Sequence, residues 1–281
     1  MRVIYDLDAM AFRAAAAAEK DTDWGNGEWS IWASEGDTWA AFELVYRDQR
    51  RLARDILKKN GQTVTEEVFV LSVGDNWRIK FDPSYKANRR KETRVNRKPV
   101  TYSWLIETIK GDPDFDVRWK DGLEGDDVAG LLNTDSVPSV IVALDKDFKT
   151  VPGWFIRTNE QTLMILSESD AYMNLIAQTL TGDVSDGYPG CPGVGAKAAS
   201  DLLDGKTPRE AFYAALMAFV RVESGLTPAK FKKADIEPIW VEMGEQMMAR
   251  QYMLARILKT GESPEDDPIA ALRKSFEFSE L

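Results

Sequence analysis

Three strand-like apolar runs each lead into a carboxylate. They are Arg2-Val3-Ile4-Tyr5 into Asp6, Val68-Phe69-Val70-Leu71-Ser72-Val73 into Asp75 past Gly74, and Ser139-Val140-Ile141-Val142-Ala143-Leu144 into Asp145. Continuous Val/Ile/Leu runs suit strands buried on both faces of a parallel sheet. Open parallel sheets place their sites beyond the carboxyl ends of the strands. Three acids are therefore expected at one sheet edge, the donor set that hard divalent cations take.

The remaining bounds are consistent with a chain that buries a sizeable core, since 44% of its 281 residues are hydrophobic. No apolar run approaches membrane-spanning length, and the alanine run Ala14–Ala18 lies between Arg13 and Glu19, unlike a leader segment. A cytoplasmic protein with no membrane contact is expected. The single cysteine, Cys191, excludes a disulfide scaffold. With no histidine, a Ser-His-Asp triad, His-ligated zinc and an imidazole base are all excluded, so polar chemistry falls to carboxylates, amines, tyrosines or metals.

The net charge of −10 would argue against a nucleic-acid partner, but its distribution points the other way. Between Arg78 and Lys98, nine basic residues (Arg78, Lys80, Lys86, Arg89, Arg90, Lys91, Arg94, Arg97, Lys98) face only Asp82 and Glu92. Local field, not total charge, governs the approach of phosphate. A solvated basic loop is the plain alternative. The run follows directly on the strand leading to Asp75, which favours a functional role.

Strand and helix alternate through the first half. Strand 2–6 is followed by a helix over 9–20, a Gly/Trp-rich loop, a helix over 38–59, strand 67–73, the basic segment and a helix over 99–110. A short helix after Asp126-Asp127, strand 139–144 and a short strand at 154–157 follow, and from about Asp170 to Lys259 the pattern is helical. This order predicts an α/β doubly wound, mostly parallel sheet over 1–169, carrying the basic segment 78–104, then a helical region over 170–281 ending in an acidic, poorly ordered tail. Trp24, Trp29, Trp32 and Trp39 are expected to pack within a surface loop rather than to stack on bases.

More acids cluster further on. Glu124, Asp126 and Asp127 sit at a helix start, where one carboxylate serves as a cap but three repel each other unless a cation neutralises them. Asp145 and Asp147 form a close pair past a strand, and Asp183 and Asp186 lie three apart on one turn. A Gly/Pro-dense turn follows, Gly187-Tyr188-Pro189-Gly190-Cys191-Pro192-Gly193-Val194-Gly195-Ala196-Lys197, leading into a helix. Small residues there admit a phosphate backbone, the helix N-terminus presents N–H groups to it, and Lys197 adds charge.

Together these motifs resemble the 5′-nuclease superfamily: flap endonucleases, the 5′-nuclease domains of bacterial DNA polymerases and the 5′→3′ exonucleases of lytic phages, the last being nearest in size and phrasing. The resemblance runs from Arg2 to about Leu203. It implies a PIN-like 5′-nuclease fold with a helix–three-turn–helix over 183–203. It also implies one group of metal-binding acids (Asp6, Asp75, Glu124, Asp126, Asp127) and a second (Asp145, Asp147, Asp183, Asp186). Tyr85-Lys86-Ala87-Asn88-Arg89 matches the family's Tyr-Lys-x-x-Arg at the base of an arch or clamp, with Lys86 and Arg89 as catalytic cations on one helix face. Arg78, Tyr85, Gly193, Gly195 and Lys197 join them as DNA contacts. Asp8 has no constant acidic counterpart, Gln178 stands where some relatives have lysine, and the stretch 89–104 is short for an arch enclosing a threaded strand.

The implied activity is 5′→3′ exodeoxyribonuclease hydrolysis with two Mg²⁺ ions (Mn²⁺ as substitute) and K⁺ at the hairpin. The implied substrates are double-stranded DNA with 5′ ends, nicks or flaps, with RNA–DNA hybrids also admitted, in phage DNA replication, primer removal or recombination in a host cytosol. The alternatives are flap endonuclease or ribonuclease activity as the main role, and a non-catalytic binder of branched DNA.

Overall fold

The computed structural model describes residues 1–90, 97–226 and 236–278. They divide into two compact units. The first comprises Met1–Asn76, Lys91–Phe148 and Gly153–Ile165; the second comprises Trp77–Arg90, Lys149–Pro152 and Leu166–Leu281. The predicted division at 169/170 thus falls a few residues early, at 165/166. The segment Trp77–Arg90 belongs with the helical unit, not with the sheet.

In the first unit, β1 (Arg2–Asp6) leads into α1 (Leu7–Ala18), then β2 (Lys20–Gly25), β3 (Glu28–Trp32) and α2 (Glu35–Lys59). After β4 (Glu66–Val70), the second unit contributes α3 (Trp77–Phe81) and a 3₁₀ turn at Ala87–Arg90. The first unit then resumes with α4 (Tyr102–Gly111), β5 (Asp116–Arg118), α5 (Gly125–Asn133), β6 (Ser139–Ala143), β7 (Gly153–Arg157) and β8 (Thr162–Leu166). The sheet order is β5-β4-β1-β6-β7-β8, with β1 parallel to both β4 and β6. The apolar runs therefore lie where their composition demands: Val3, Ile4, Val68, Val70, Val140 and Val142 are all fully buried. Tyr5, Tyr46, Phe69 and Phe115 form a ring cluster beneath α2, with Tyr5 and Phe69 stacked at 5.2 Å.

Two expectations are corrected here. The Gly/Trp-rich segment is a β-hairpin, not a loop, with Asp23 paired to Trp29 and a tip at Gly25-Asn26-Gly27, all three at positive φ. Its tryptophans are not packed away: Trp24 is 69% and Trp32 51% exposed. The acidic tail carries α10 (Pro268–Phe278), which Pro268 starts at a position where its missing N–H costs nothing. Leu272 of that helix is fully buried. Glu280 lies outside the described residues.

The second unit is helical as expected. After α3 it holds α6 (Glu168–Thr181), α7 (Ala196–Leu203), α8 (Pro208–Ser224), α9 (Pro238–Ala255) and α10. Helices α6 and α8 open with capping boxes, Ser167 with Asp170 and Thr207 with Glu210. Among the described residues no helix is long and apolar enough to cross a membrane.

Candidate active site

The parallel pairing of β1 with β4 and β6 brings their carboxyl ends to one edge. Asp6 closes β1 and its Oδ1 takes the Ala9 N–H at 3.1 Å as the cap of α1. Desolvation and then the like charges of Asp8 and Asp145 push the Asp6 carboxyl well above the usual carboxylate range. The sequence treated Asp8 as doubtful, yet it ties this edge together. Its Oδ2 accepts the Ser72 N–H at 2.8 Å and its Oδ1 accepts the Tyr102 hydroxyl at 2.6 Å. Burial and that carboxylate push the Tyr102 hydroxyl well above the usual tyrosine range.

Ser72 in turn accepts the Gly125 N–H at 2.8 Å, which joins the start of α5 to the end of β4. A side chain at Gly125 would sit 3.2 Å from Asp8 Oδ2, which would have to give by a few tenths of an ångström, and 3.5 Å from the Leu71 backbone, an ordinary contact. The chain Asp8–Ser72–Gly125 thus seats the acid-bearing start of α5 against the acid-bearing start of α1. Glu124 stands at the N-cap of α5 and its N–H is accepted by Asp127 Oδ2 at 3.3 Å. The fully buried Asp127 is therefore spent on capping, as the helix dipole favours. Asp126 is half-buried, Asp75 is exposed beyond β4, and Asp145 is exposed with its Oδ1 accepting the Asp147 N–H at 2.9 Å.

The other acids belong to the second unit. Asp183 Oδ1 accepts from the Ser185 N–H (2.7 Å) and hydroxyl (2.5 Å), a local turn. Asp186 is engaged by the residues expected to meet phosphate: Arg89 Nη2 donates to its Oδ1 at 2.6 Å, Tyr85 donates to its Oδ2 at 3.0 Å, and Lys86 Nζ lies 3.6 Å away. The backbone adds to this knot, with Lys86 N–H to Asp186 O at 2.7 Å and Arg89 Nε–H to Ser185 O at 3.1 Å.

Lys86 and Arg89 do not share a helix face as expected. Lys86 has φ of 52° and precedes the 3₁₀ turn, a geometry that aims both cations at one carboxylate. Arg78 is also corrected: it is 2% exposed, lies over the Trp77 ring and donates to Arg256 O at 2.5 Å, so it is an internal cation and not a surface contact. Lys91, Glu92 and Arg94 of the basic run lie outside the described residues.

The Gly/Pro turn is built on glycine in two distinct ways. Gly182 and Gly190, both at positive φ, lie back to back, so that a side chain on either would enter the other's backbone. Leu180 O takes the Cys191 N–H at 2.8 Å, and Gln178, the lysine departure, braces the turn by donating to the Tyr188 hydroxyl at 2.9 Å. Gly193 and Gly195 instead have open space around them and lead into α7, with Lys197 exposed in its first turn. Cys191 is buried beneath, its thiol pushed up to about 11 by burial and inert as a nucleophile.

Among the described residues no three carboxylates stand as a ready ligating group. The donor chemistry still suits a hard cation: half-buried Asp6 with Asp8 and Asp145 concentrates like charge that a divalent ion would relieve. Asp186 does not suit that role while Lys86, Arg89 and Tyr85 occupy its oxygens.

No protein-family model matches the chain. It is 29% identical over 284 residues to an exonuclease of Escherichia phage T7, covering 92% of this chain and 89% of that protein. It is 31% identical over 214 residues to an exodeoxyribonuclease of Enterobacteria phage T3, covering 72% and 66%. A bacteriophage T5 flap endonuclease solved with DNA and metal ions superposes with a TM-score of 0.55 at 14% identity, covering 100% of this chain and 99% of that one. With strands β1 and β6 delivering acids to one sheet edge and a glycine-locked turn opening α7, this likeness to phage nucleases over nearly the whole length means that the chain belongs to the 5′-nuclease superfamily.

Proposed function

We propose that the chain is a metal-dependent 5′→3′ exodeoxyribonuclease that hydrolyses phosphodiester bonds near DNA 5′ ends in a host cytosol. What supports this reading is the parallel pairing of β1 with β6, which brings Asp6 and Asp145 to one carboxyl edge of the sheet, in a chain alike over 92% of its length to an exonuclease. Asp6 and Asp145, with Asp75, Glu124, Asp126 and Asp147 of the same unit as further donors, would hold the divalent ions, Mg²⁺ in this reading. When bound, such ions neutralise charge on the scissile phosphate and acidify a water.

The protein's own residues supply the rest. Asp8, through Ser72, Gly125 and Tyr102, fixes where the acids stand. Lys86 and Arg89 are held on Asp186 and become phosphate ligands when that carboxylate releases them, placing two cations on a polyanion without covalent chemistry. Gly193, Gly195 and Lys197 track the duplex backbone, with K⁺ as a further ligand of that turn. Products are 5′-phosphorylated nucleotides or short oligonucleotides.

The test is one assay with a 5′-labelled duplex, a flap and an RNA–DNA hybrid, with and without Mg²⁺. Release of 5′-mononucleotides from the duplex, abolished by Asp145→Asn with DNA binding retained, is expected. Cleavage confined to the flap or the hybrid would replace the exonuclease reading, and no cleavage of any substrate would reject it.

A further inference from the structure

A cavity of about 430 Å³ opens in the first unit between α1, α2 and the ends of β6 and β7. Its wall includes Asp6, Phe12, Arg13, Gln49, Leu144 and Thr158. That volume is in the range of small-molecule sites, roughly 300–1,000 Å³, and the lining follows their pattern of apolar walls with a few convergent polar groups. Phe12 and Leu144 are large apolar side chains left 48% and 53% exposed beside it. Most telling is Gln49: its Oε1 is buried and accepts no hydrogen bond among the described residues. A buried acceptor without a donor is costly, so the site calls for a ligand or water that donates.

We propose that this cavity receives the nucleobase of the substrate's 5′-terminal nucleotide, an inference that rests on the 5′-nuclease reading and adds a binding subsite to it. Three features select this ligand class. Asp6, in the wall, belongs to the acid group at which a phosphate is handled, so the moiety beside that phosphate enters here. Phe12 offers a ring face and Leu144 an apolar wall to a planar base. Gln49 Oε1 accepts from an N–H of the base, and every base carries at least one on its Watson–Crick edge, so the contact binds without reading sequence. Arg13, exposed at the cavity and lacking an ion-pair partner among the described residues, adds a planar cation that stacks on a base or meets its phosphate. Residues beyond the acids thus hold the end that is to be cut.

The experiment uses the full chain and two readouts. In the first, a duplex with an ordinary 5′-terminal nucleotide is compared with one whose terminal residue is abasic. The wild-type protein is expected to cleave the abasic end with about tenfold lower kcat/KM, the order of one lost base contact. Gln49→Leu and Ala16→Phe, which fills the cavity from a wall residue of α1, are each expected to cleave the two substrates alike. Equal cleavage of both substrates by the wild-type protein would overturn the proposal while leaving the nuclease reading intact.

In the second readout, deoxyadenosine binding is followed by saturation-transfer NMR without metal or DNA, so it is informative even if no cleavage is seen. Binding lost in Ala16→Phe supports the subsite. No binding, or binding that persists in Ala16→Phe, overturns it.

Discussion

Replacing Asp186 by alanine probes the knot that holds the candidate phosphate cations. Asp186 Oδ1 takes a 2.6 Å bond from Arg89 and its Oδ2 a 3.0 Å bond from the Tyr85 hydroxyl, with the Lys86 ammonium 3.6 Å away. A hydrogen bond to a charged group contributes about 1.5–3 kcal/mol when shielded. Arg89 is half exposed, so screening brings its share nearer to about 0.5–1 kcal/mol. The Lys86 contact is longer and contributes about 0.5 kcal/mol. Tyr85 is buried, and losing this acceptor costs about 1–2 kcal/mol. Asp186→Ala is therefore expected to destabilise the metal-free protein by about 2–3.5 kcal/mol, and Asp186→Asn, which keeps one acceptor, by about half of that.

Urea unfolding in chelator, followed by tryptophan fluorescence, reads this as a lower midpoint at unchanged slope. The same variant removes the Asp186 carboxylate from beside Lys86 and Arg89, so metal-free binding of duplex DNA should tighten and its salt dependence steepen. A wild-type midpoint together with weaker DNA binding would refute the claim that Asp186 restrains these cations.

Gly190→Ala should cost at least about 3 kcal/mol in the same unfolding assay, since φ of 68° and a side chain entering the Gly182 backbone both oppose it, and near-neutral behaviour would contradict the turn. Trp24→Ala, on the exposed hairpin, should shift stability by no more than about 0.5 kcal/mol, whereas a loss near that of a core residue would show the hairpin to be packed. Glu19 supplies a pH test. Its two bonds from Arg97, at 2.7 and 2.8 Å, hold its carboxyl below the usual range, so its contribution is fully present above the ordinary value of about 4.3 and is lost as pH falls through the depressed folded value. The stability gap between wild type and Glu19→Gln should accordingly hold steady from pH 7 to 5 and close below pH 4; a gap that widens with acid would reverse the assignment.

Much of the sheet was legible because β1 and β6 are buried on both faces and read as unbroken apolar runs. By contrast, β5 is three residues of alternating charge at a sheet edge, Asp116-Val117-Arg118, and carries no such signal. The β2–β3 hairpin was missed although Asn26-Gly27 is a strong turn dipeptide, because the tryptophans around it suggested packing and not an exposed two-stranded ribbon.

At the site, the acids could be named from their position after strands, but not their competing duties. Asp127 is consumed by a cap and Asp186 by two cations, and only coordinates reveal such partners. Asp8 could have been suspected from its place two residues after Asp6, one helical step from the same edge, but its partners Ser72 and Tyr102 are distant in sequence. Gln49, a polar residue inside an amphipathic helix, offers no signal at all until its orphaned oxygen is seen beside a cavity.

The central claim is that carboxylates from separate strands act as one cation-binding edge for 5′-end hydrolysis. Calorimetric titration of Mn²⁺ into wild type and Asp145→Asn, paired with Mg²⁺-dependent digestion of a 5′-labelled duplex, tests it most directly. Weakened Mn²⁺ binding and lost digestion in the variant, with duplex binding preserved, is the expected result. An Asp145→Asn protein that binds Mn²⁺ as the wild type does and degrades 5′ ends at the normal rate would contradict it.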